Sequence, residues 1–294
     1  MNASNLMVPL PPNPNPGQPK LVAPPGSWDM HFHVFGPPNL FPYAEARRYT
    51  PPTAPIEHWF EMASAIGISN GLLVTPSVHD LDPAVTLDAI RKSEGRLRGV
   101  IRANNELTPE EVKRLHDGGI RGLRFPFAAV VRRTFDEKQV RHNVARIEAA
   151  SWFAEFQIDG NALEQHAELI AGVPVPVMID EFGGVQPKHG LDQPSFRILL
   201  DLLARKNIWL KLTCADRFLR EGTRYEDIVA MSRAVIAKAP ERIIWGTDWP
   251  HAYIYKARMM PDDAELLDML LDFAPDEKIR SQILVDNPRR LLNL

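Results

Sequence analysis

Eight short apolar runs recur along the chain, each followed by a longer segment whose apolar residues return at helical spacing. The runs are Ser27–Val34, Gly71–Pro76, Leu97–Ile101, Gly119–Phe125, Trp152–Ile158, Val175–Asp180, Ile208–Thr213 and Arg242–Thr247. They are rich in Val, Ile, Leu and aromatic residues and nearly continuous rather than alternating, as parallel strands covered on both faces require. Helix signals lie between them. Pro55 opens a segment with Ile56, Trp59, Phe60 and Ala63 on one face. Asp82-Pro83 and Thr108-Pro109 read as caps followed by first-turn prolines, with Glu111 completing a capping box with Thr108. Asn161 is expected to cap a helix carrying Leu163, Ala167 and Ile170, and Asp192, Tyr225 and Pro261 begin further helical regions. Eight strands, seven intervening helices and a helical C-terminus predict a single (β/α)8 TIM barrel over residues 27–294. The alternative, a doubly wound open sheet, has no Gly-x-Gly-x-x-Gly after any strand to support nucleotide binding. Pro288 is expected to interrupt the last of the C-terminal helices.

Two stretches fall outside this alternation. Residues 1–26 hold eight prolines and form an arm that can be neither helix nor central strand. Residues 36–53 are also proline-rich but carry Phe41, Tyr43 and Tyr49, which suit a loop folded over a site. The net charge of −3 gives no reason to expect nucleic acid or an anionic membrane as partner. One cysteine, Cys214, excludes an internal disulfide framework and reads as a small buried residue. No apolar run reaches the roughly 18 residues of a membrane span. The first 19 residues lack Lys and Arg, unlike a secretion signal, so a cytoplasmic location is expected. Oligomeric state leaves no trace in the sequence.

The C-terminal ends of barrel strands line one mouth. Read off in order, those ends are His31 and His33, Ser77, Arg124, Gln157, Glu181, Thr213 to Arg217, and Asp248, nearly all polar behind apolar strands. In His31-Phe32-His33, strand alternation sends both histidines to the same side, where they can share a metal or polarise one substrate oxygen. Asp248 follows Gly246-Thr247 where the eighth run ends, and a carboxylate there is costly without a partner or a task. Arg124 and Arg217 are candidates for gripping carboxylates, or else for structural ion pairs.

These stretches resemble the amidohydrolase superfamily, in which the first barrel strand carries His-x-His and the eighth a catalytic Asp. The likeness is closer to the lactonase-like branch that includes 2-pyrone-4,6-dicarboxylate hydrolase. It rests on Asp29 to Pro37, Pro76 to His79, Thr86 to Ile90, Arg121 to Phe125, Thr213-Cys214-Ala215-Asp216-Arg217 and Trp245 to His251. The resemblance implies a hydrolase that opens the lactone of a small carboxylated substrate. His31 and His33 would face the lactone carbonyl, Asp248 would activate water, and Arg124 and Arg217 would hold carboxylates. Tyr49, Ser77, Gln157, Glu181 and His251 would be further substrate contacts. The chain departs from the pyrone hydrolase pattern in carrying Gln157 and Glu181 where a tyrosine and a histidine are usual, and in the late placing of Arg132 and Arg133. With the family's metal-binding histidines replaced, no metal is expected. Were zinc or manganese bound, His31, His33, Glu181 and Asp248 would be its ligands. A lactone isomerase or metal-dependent decarboxylase on the same fold, and a non-catalytic binder of small acids, are the competing readings.

Overall fold

Every predicted strand forms, and all eight hydrogen-bond side by side in chain order, each parallel to the next. They are β1 (Trp28–Phe32), β2 (Asn70–Val74), β3 (Leu97–Arg102), β4 (Ile120–Pro126), β5 (Phe153–Gln157), β6 (Val177–Ile179), β7 (Ile208–Leu212) and β8 (Ile243–Trp245). The computed structural model describes residues 6–104, 107–128 and 135–294; Arg132 and Arg133 lie outside them. Helices α1 (Ile56–Ala65), α2 (Ala84–Lys92), α3 (Pro109–Asp117), α4 (Glu137–Glu148), α5 (Gly160–Ala171) and α6 (Pro194–Leu203) alternate with the strands. The predicted (β/α)8 barrel is the architecture observed.

Several local expectations shift. Between β7 and β8 a short helix, α7 (Ala215–Arg220), precedes the expected α8 (Tyr225–Lys238), so Asp216 and Arg217 sit on a helix and not at a strand end. The cap of α5 is Asp159, whose carboxylate accepts from Ala162 N at 3.0 Å, and Asn161 is already inside the first turn. Pro288 lies at the second residue of α11 (Asn287–Leu291), which runs straight on from a π-helical turn (Gln282–Asp286), so the helical chain changes its winding before the proline and does not stop there. Before it come α9 (Asp263–Phe273) and α10 (Glu277–Ser281).

Two apolar clusters hold the layers. The larger lies between strands and helices; Phe32 of β1, for example, stacks on Trp59 of α1 with ring centroids 4.1 Å apart. The smaller fills the barrel, with Trp28, Met30, Leu72, Val100, Phe153, Met178, Trp209 and Ile244 closed below by Leu291 and Leu292 from the C-terminus. At this level β4 contributes Gly122, because a Cβ there would stand 2.6 Å from the Phe153 ring. Two residues further along the chain from β5, β6 and β7, the same inward face turns polar, and at β8 it becomes glycine. Phe153 is succeeded by Glu155, Met178 by Asp180, Trp209 by Lys211 and Ile244 by Gly246. The site is therefore a charged layer resting on an apolar plug.

The barrel closes where β8 meets β1. β8 itself is only three residues long, yet the chain beyond it stays on β1. Asp248 N donates to His31 O at 2.8 Å, and His33 N to Trp249 O at 2.7 Å. The fully buried Asp29 carboxylate accepts from Thr247 N (2.9 Å), Thr247 Oγ1 (2.7 Å), Trp59 Nε1 (3.1 Å) and His31 N (3.1 Å). Burial pushes its pKa up to about 6 against the pull of those bonds. Gly246 makes the seam close-fitting, since a Cβ there would lie 2.5 Å from His31 N and 2.8 Å from its Cβ. Gly246→Ala must move backbone, and overpacking of that kind costs about 1–3 kcal/mol. A lower urea midpoint with unchanged slope is the expected outcome, and an unchanged midpoint would show that the seam is slack.

Candidate active site

The seam brings three predicted residues together. His31 Nε2 and His33 Nε2 face each other at 3.3 Å, and Asp248 Oδ1 stands 3.6 Å from the first and 3.5 Å from the second. Asp248 holds a left-handed backbone (φ 65°), a conformation uncommon for a residue with a side chain. Its other oxygen, Oδ2, accepts from Arg217 Nη2 at 3.2 Å and from the Cys214 thiol at 3.2 Å. Burial would raise the Asp248 pKa, but the His33 contact and the charge of Arg217 outweigh it and hold the carboxyl well below the usual range.

Beneath these groups lies a layer of charge. Lys211, fully buried on β7, places Nζ 2.5 Å from Glu155 Oε2, 3.1 Å from His31 Nδ1 and 3.6 Å from Asp180 Oδ1. Asp180 Oδ1 is itself 3.1 Å from His31 Nδ1, and its Oδ2 bonds Arg124. Arg124 Nε also meets Glu155 Oε1 at 2.9 Å, and Nη2 reaches Glu181 Oε1 at 3.6 Å. Burial drives the His31 pKa down to about 3, with Asp180 pulling it back up and Lys211 pushing it further down. His31 is therefore a neutral imidazole. Burial raises Asp180 too, but His31, Lys211 and Arg124 together hold it well below the ordinary value.

The other expected residues divide by place. Arg124, with 5% of its side chain exposed, is enclosed by Glu155, Asp180 and Glu181 beneath the mouth. Arg217 is 39% exposed and joins Glu181 (2.8 Å) to Asp248, so it is the arginine that an entering molecule can meet. Glu181, considered above as a metal ligand, is held between the two arginines; the residue that reaches His31 is Asp180, one position earlier. Tyr49 is buried, with its ring 4.5 Å from that of Tyr253, and burial holds its phenol well above the ordinary value, with Ser77 pulling it back. Gln157 ends β5, two residues above Glu155, and its carbonyl accepts from Phe127 N and Ala128 N. His251 is buried, bonds Asp263 Oδ1 at 3.0 Å and has its pKa raised by that carboxylate despite burial. Glu155, Asp180 and Lys211 escaped the sequence reading. Their signal was present: a charged residue inside an otherwise apolar strand, on the inward parity set by Phe153, Met178 and Trp209.

The donor set fits a divalent cation. The His33 Nδ1 atom lies 2.7 Å from Val74 O and can only donate to it, which leaves Nε2 bare in the neutral ring. Asp180 can accept from His31 Nδ1 and bare the second Nε2 in the same way. Ligating histidines are characteristically oriented by such partners. Donors at the roughly 2.0–2.2 Å of a zinc site stand about 3.3–3.6 Å apart, the spacing found among His31, His33 and Asp248. Without a cation, a proton on His31 Nε2 must separate the two rings. Lys211 Nζ, 3.1 Å from the same His31 Nδ1, competes for that atom, so the tautomer a metal requires depends on Asp180 taking the Nδ1 proton.

Comparison with known proteins adds a second line. A family model described as Amidohydrolase matches residues 28–294. The 4-sulfomuconolactone hydrolase of Hydrogenophaga intermedia is 40% identical over 284 residues, 92% of this chain and 90% of its own. The 2-pyrone-4,6-dicarboxylate hydrolase of Comamonas testosteroni is 32% identical, over 94% of this chain and 93% of its own. A crystal structure from Agrobacterium tumefaciens superposes with a TM-score of 0.87 at 27% identity, covering 96% of this chain and 99% of that one.

Breaking a buried ion pair by removing one partner typically costs about 3–5 kcal/mol. Lys211→Met leaves Glu155 and Asp180 facing each other without their shared ammonium, and a stability loss of that order is expected in urea unfolding. Adding Glu155→Gln to Lys211→Met should recover part of it. A double variant no more stable than the single one would show that the two groups are not coupled.

Proposed function

The chain belongs to the amidohydrolase family, and from that membership we propose that it opens the ring ester of a small acidic lactone with Asp248 as the base. The observation that carries this reading is the Asp248 carboxylate, ionised, facing two imidazoles on one side and a half-exposed arginine on the other. The names of the two relatives, one acting on a sulfonated muconolactone and one on a pyrone dicarboxylate, support a lactone that carries an acidic group. The higher identity to the first favours the sulfonated muconolactone over the pyrone.

An acidic group of the substrate binds Arg217, whose fork matches a carboxylate or sulfonate edge. Once engaged there, Arg217 releases part of its hold on Asp248 Oδ2, and the carboxylate becomes more basic as the substrate docks. Oδ1 takes a proton from water as the water oxygen bonds to the lactone carbonyl carbon. His31, a neutral ring at working pH, can present an Nε2–H to the developing oxyanion while His33, its Nδ1–H held by Val74 O, orients that ring, the kind of preorganised electrostatic contribution that usually dominates such reactions. The ring C–O bond then breaks, Asp248 returns its proton to the departing oxygen, and an open-chain acid leaves. A divalent cation bound by His31, His33 and Asp248 would polarise the carbonyl and make water more acidic.

A screen of 4-sulfomuconolactone and 2-pyrone-4,6-dicarboxylate, followed by ultraviolet absorbance and proton release, tests the reaction class. Asp248→Asn keeps the shape and removes the basicity, and loss of a positioned base costs about 10²–10⁴-fold in kcat. Substrate affinity should remain, and full turnover in the variant would exclude Asp248 as base. Because the folded protein holds Asp248 below the usual carboxylate pKa of about 3.9, the acid limb of kcat/KM should lie below that pH. An acid limb near pH 6 would assign the base to another group. For the cation, chelation and dialysis are expected to remove activity, with one equivalent of zinc or manganese restoring it. Full activity in protein with no detectable metal would leave a proton between the two histidines.

A further inference from the structure

One run of hydrogen bonds joins the charged layer to the two histidines, and its direction follows from its ends. At the far end His33 Nδ1 stands 2.7 Å from the carbonyl of Val74, the last residue of β2. A carbonyl only accepts, so the proton of the neutral His33 ring is on Nδ1 and its Nε2 is bare. At the near end the fully buried Lys211 places Nζ 3.1 Å from His31 Nδ1. An ammonium only donates, so this contact requires a bare Nδ1. The one proton of the neutral His31 ring then sits on Nε2, 3.3 Å from the bare Nε2 of His33. Each donor meets an acceptor, from Lys211 through His31 and His33 to Val74.

A second group stands at the same nitrogen. Asp180 Oδ1 is also 3.1 Å from His31 Nδ1, yet this oxygen is buried and receives no hydrogen bond. The other oxygen of the carboxylate is engaged by Arg124. Lys211 itself is anchored independently of the ring, with Nζ 2.5 Å from Glu155 Oε2 and 3.6 Å from Asp180 Oδ1. A buried acceptor left unmade is costly, and this one lies within reach of the ring atom that Lys211 occupies. Two hydrogen-bond patterns are therefore open to the same four side chains. They differ in which nitrogen of His31 holds the proton.

We propose that Lys211 is a positioning residue that sets the proton of His31 on Nε2, with Asp180 as the acceptor for the alternative pattern in which that proton is on Nδ1. What the Nε2–H does rests on the lactone-hydrolase reading: it is the neutral donor that a developing oxyanion needs at the mouth. In the alternative pattern both Nε2 atoms are bare, as a divalent cation among His31, His33 and Asp248 requires. Passing from one to the other removes a proton from Nε2 and places one on Nδ1. The ring stays neutral, the Lys211 bond to Nδ1 breaks, and Lys211 keeps Glu155. Lys211 therefore opposes the cation site through that bond, and a site opposed in this way gives up its metal on dialysis.

Nitrogen NMR of the metal-free full chain with labelled histidine reads the tautomer directly, the His31 signals being those lost in His31→Gln. Wild type should show a bare Nδ1 and a protonated Nε2. In Lys211→Met/Glu155→Gln, which removes the ammonium and its counter-charge together, the proton should move to Nδ1. Zinc affinity, measured by competition with a chromogenic chelator, should tighten about tenfold in that variant and weaken about tenfold in Asp180→Asn, the low end of the range for partners of metal-binding histidines. Damage to the buried layer alone would weaken zinc in both variants, and a change of the same direction in both would overturn the proposal. A wild-type ring with its proton on Nδ1 would overturn it even if the double variant failed to fold. Neither measurement involves turnover, so failure to open any lactone would count against the hydrolase reading and leave the role of Lys211 decided.

Discussion

An ammonium group with no access to water must be neutralised by its own neighbours, and Lys211 sets that requirement at the centre of the barrel. Its three contacts, to Glu155, Asp180 and His31, come from β5, the residue just past β6, and β1. Each of those groups is completely buried, so none can be removed without leaving an uncompensated charge or orphaned donor. The network is consequently all or none. It fixes the rotation of the His31 ring, and it brings Arg124 in as a second cation for Asp180 and Glu155. The catalytic groups at the mouth rest on this layer, as the layer rests on the apolar plug of Trp28, Phe153 and Trp209.

The seam between β1 and β8 converts that rigidity into a reacting geometry. β1 has two tasks: its carbonyl and N–H groups close the barrel, and its histidines face inward. Asp29 does the first by binding Thr247 twice, and this places the next residue, Asp248, against His31 and His33. Gly246 allows the backbones to approach closely enough for it. A carboxylate inside the seam is expensive, as the upward shift of its pKa shows, and four donors offset the cost. Stability and function thus share one short stretch of chain.

The existence and order of all eight strands were legible because parallel strands covered on both faces must be continuous apolar runs. Strand ends were less so. β6 and β8 are shorter than their runs, because the residues beyond them turn to make irregular contacts, with β1 in the case of β8. His31, His33 and Asp248 were readable as a set because strand order places the first and eighth strand ends across one mouth, although it is a break of register in β1 between Asp29 and Phe32 that turns His31 inward after Met30. Lys211 and Glu155 were not read, although inward parity marks them, since a charge within a strand is ordinarily an exposed one. Asp180 was passed over for Glu181 by one residue, because β6 ends at Ile179 and the turn that follows brings both carboxylates to Arg124 while only Asp180 reaches His31. Which arginine is consumed internally depends on Glu155, Asp180 and Glu181, residues that lie 31 to 57 positions along the chain from Arg124, and no local pattern encodes that.

The charge at the site constrains the chemistry proposed for it. Four carboxylates, Glu155, Asp180, Glu181 and Asp248, face three cations, Arg124, Lys211 and Arg217, and the neutral His31 adds nothing. One negative charge is left over before any acidic substrate arrives. Repulsion of an anion by that surplus is strong in a partly dehydrated mouth. Positive charge added between His31, His33 and Asp248, whose donor atoms could hold a cation, would relieve it. On the proposed reading the substrate's acidic group is held by Arg217 at the rim, with its carbonyl turned toward the two imidazoles.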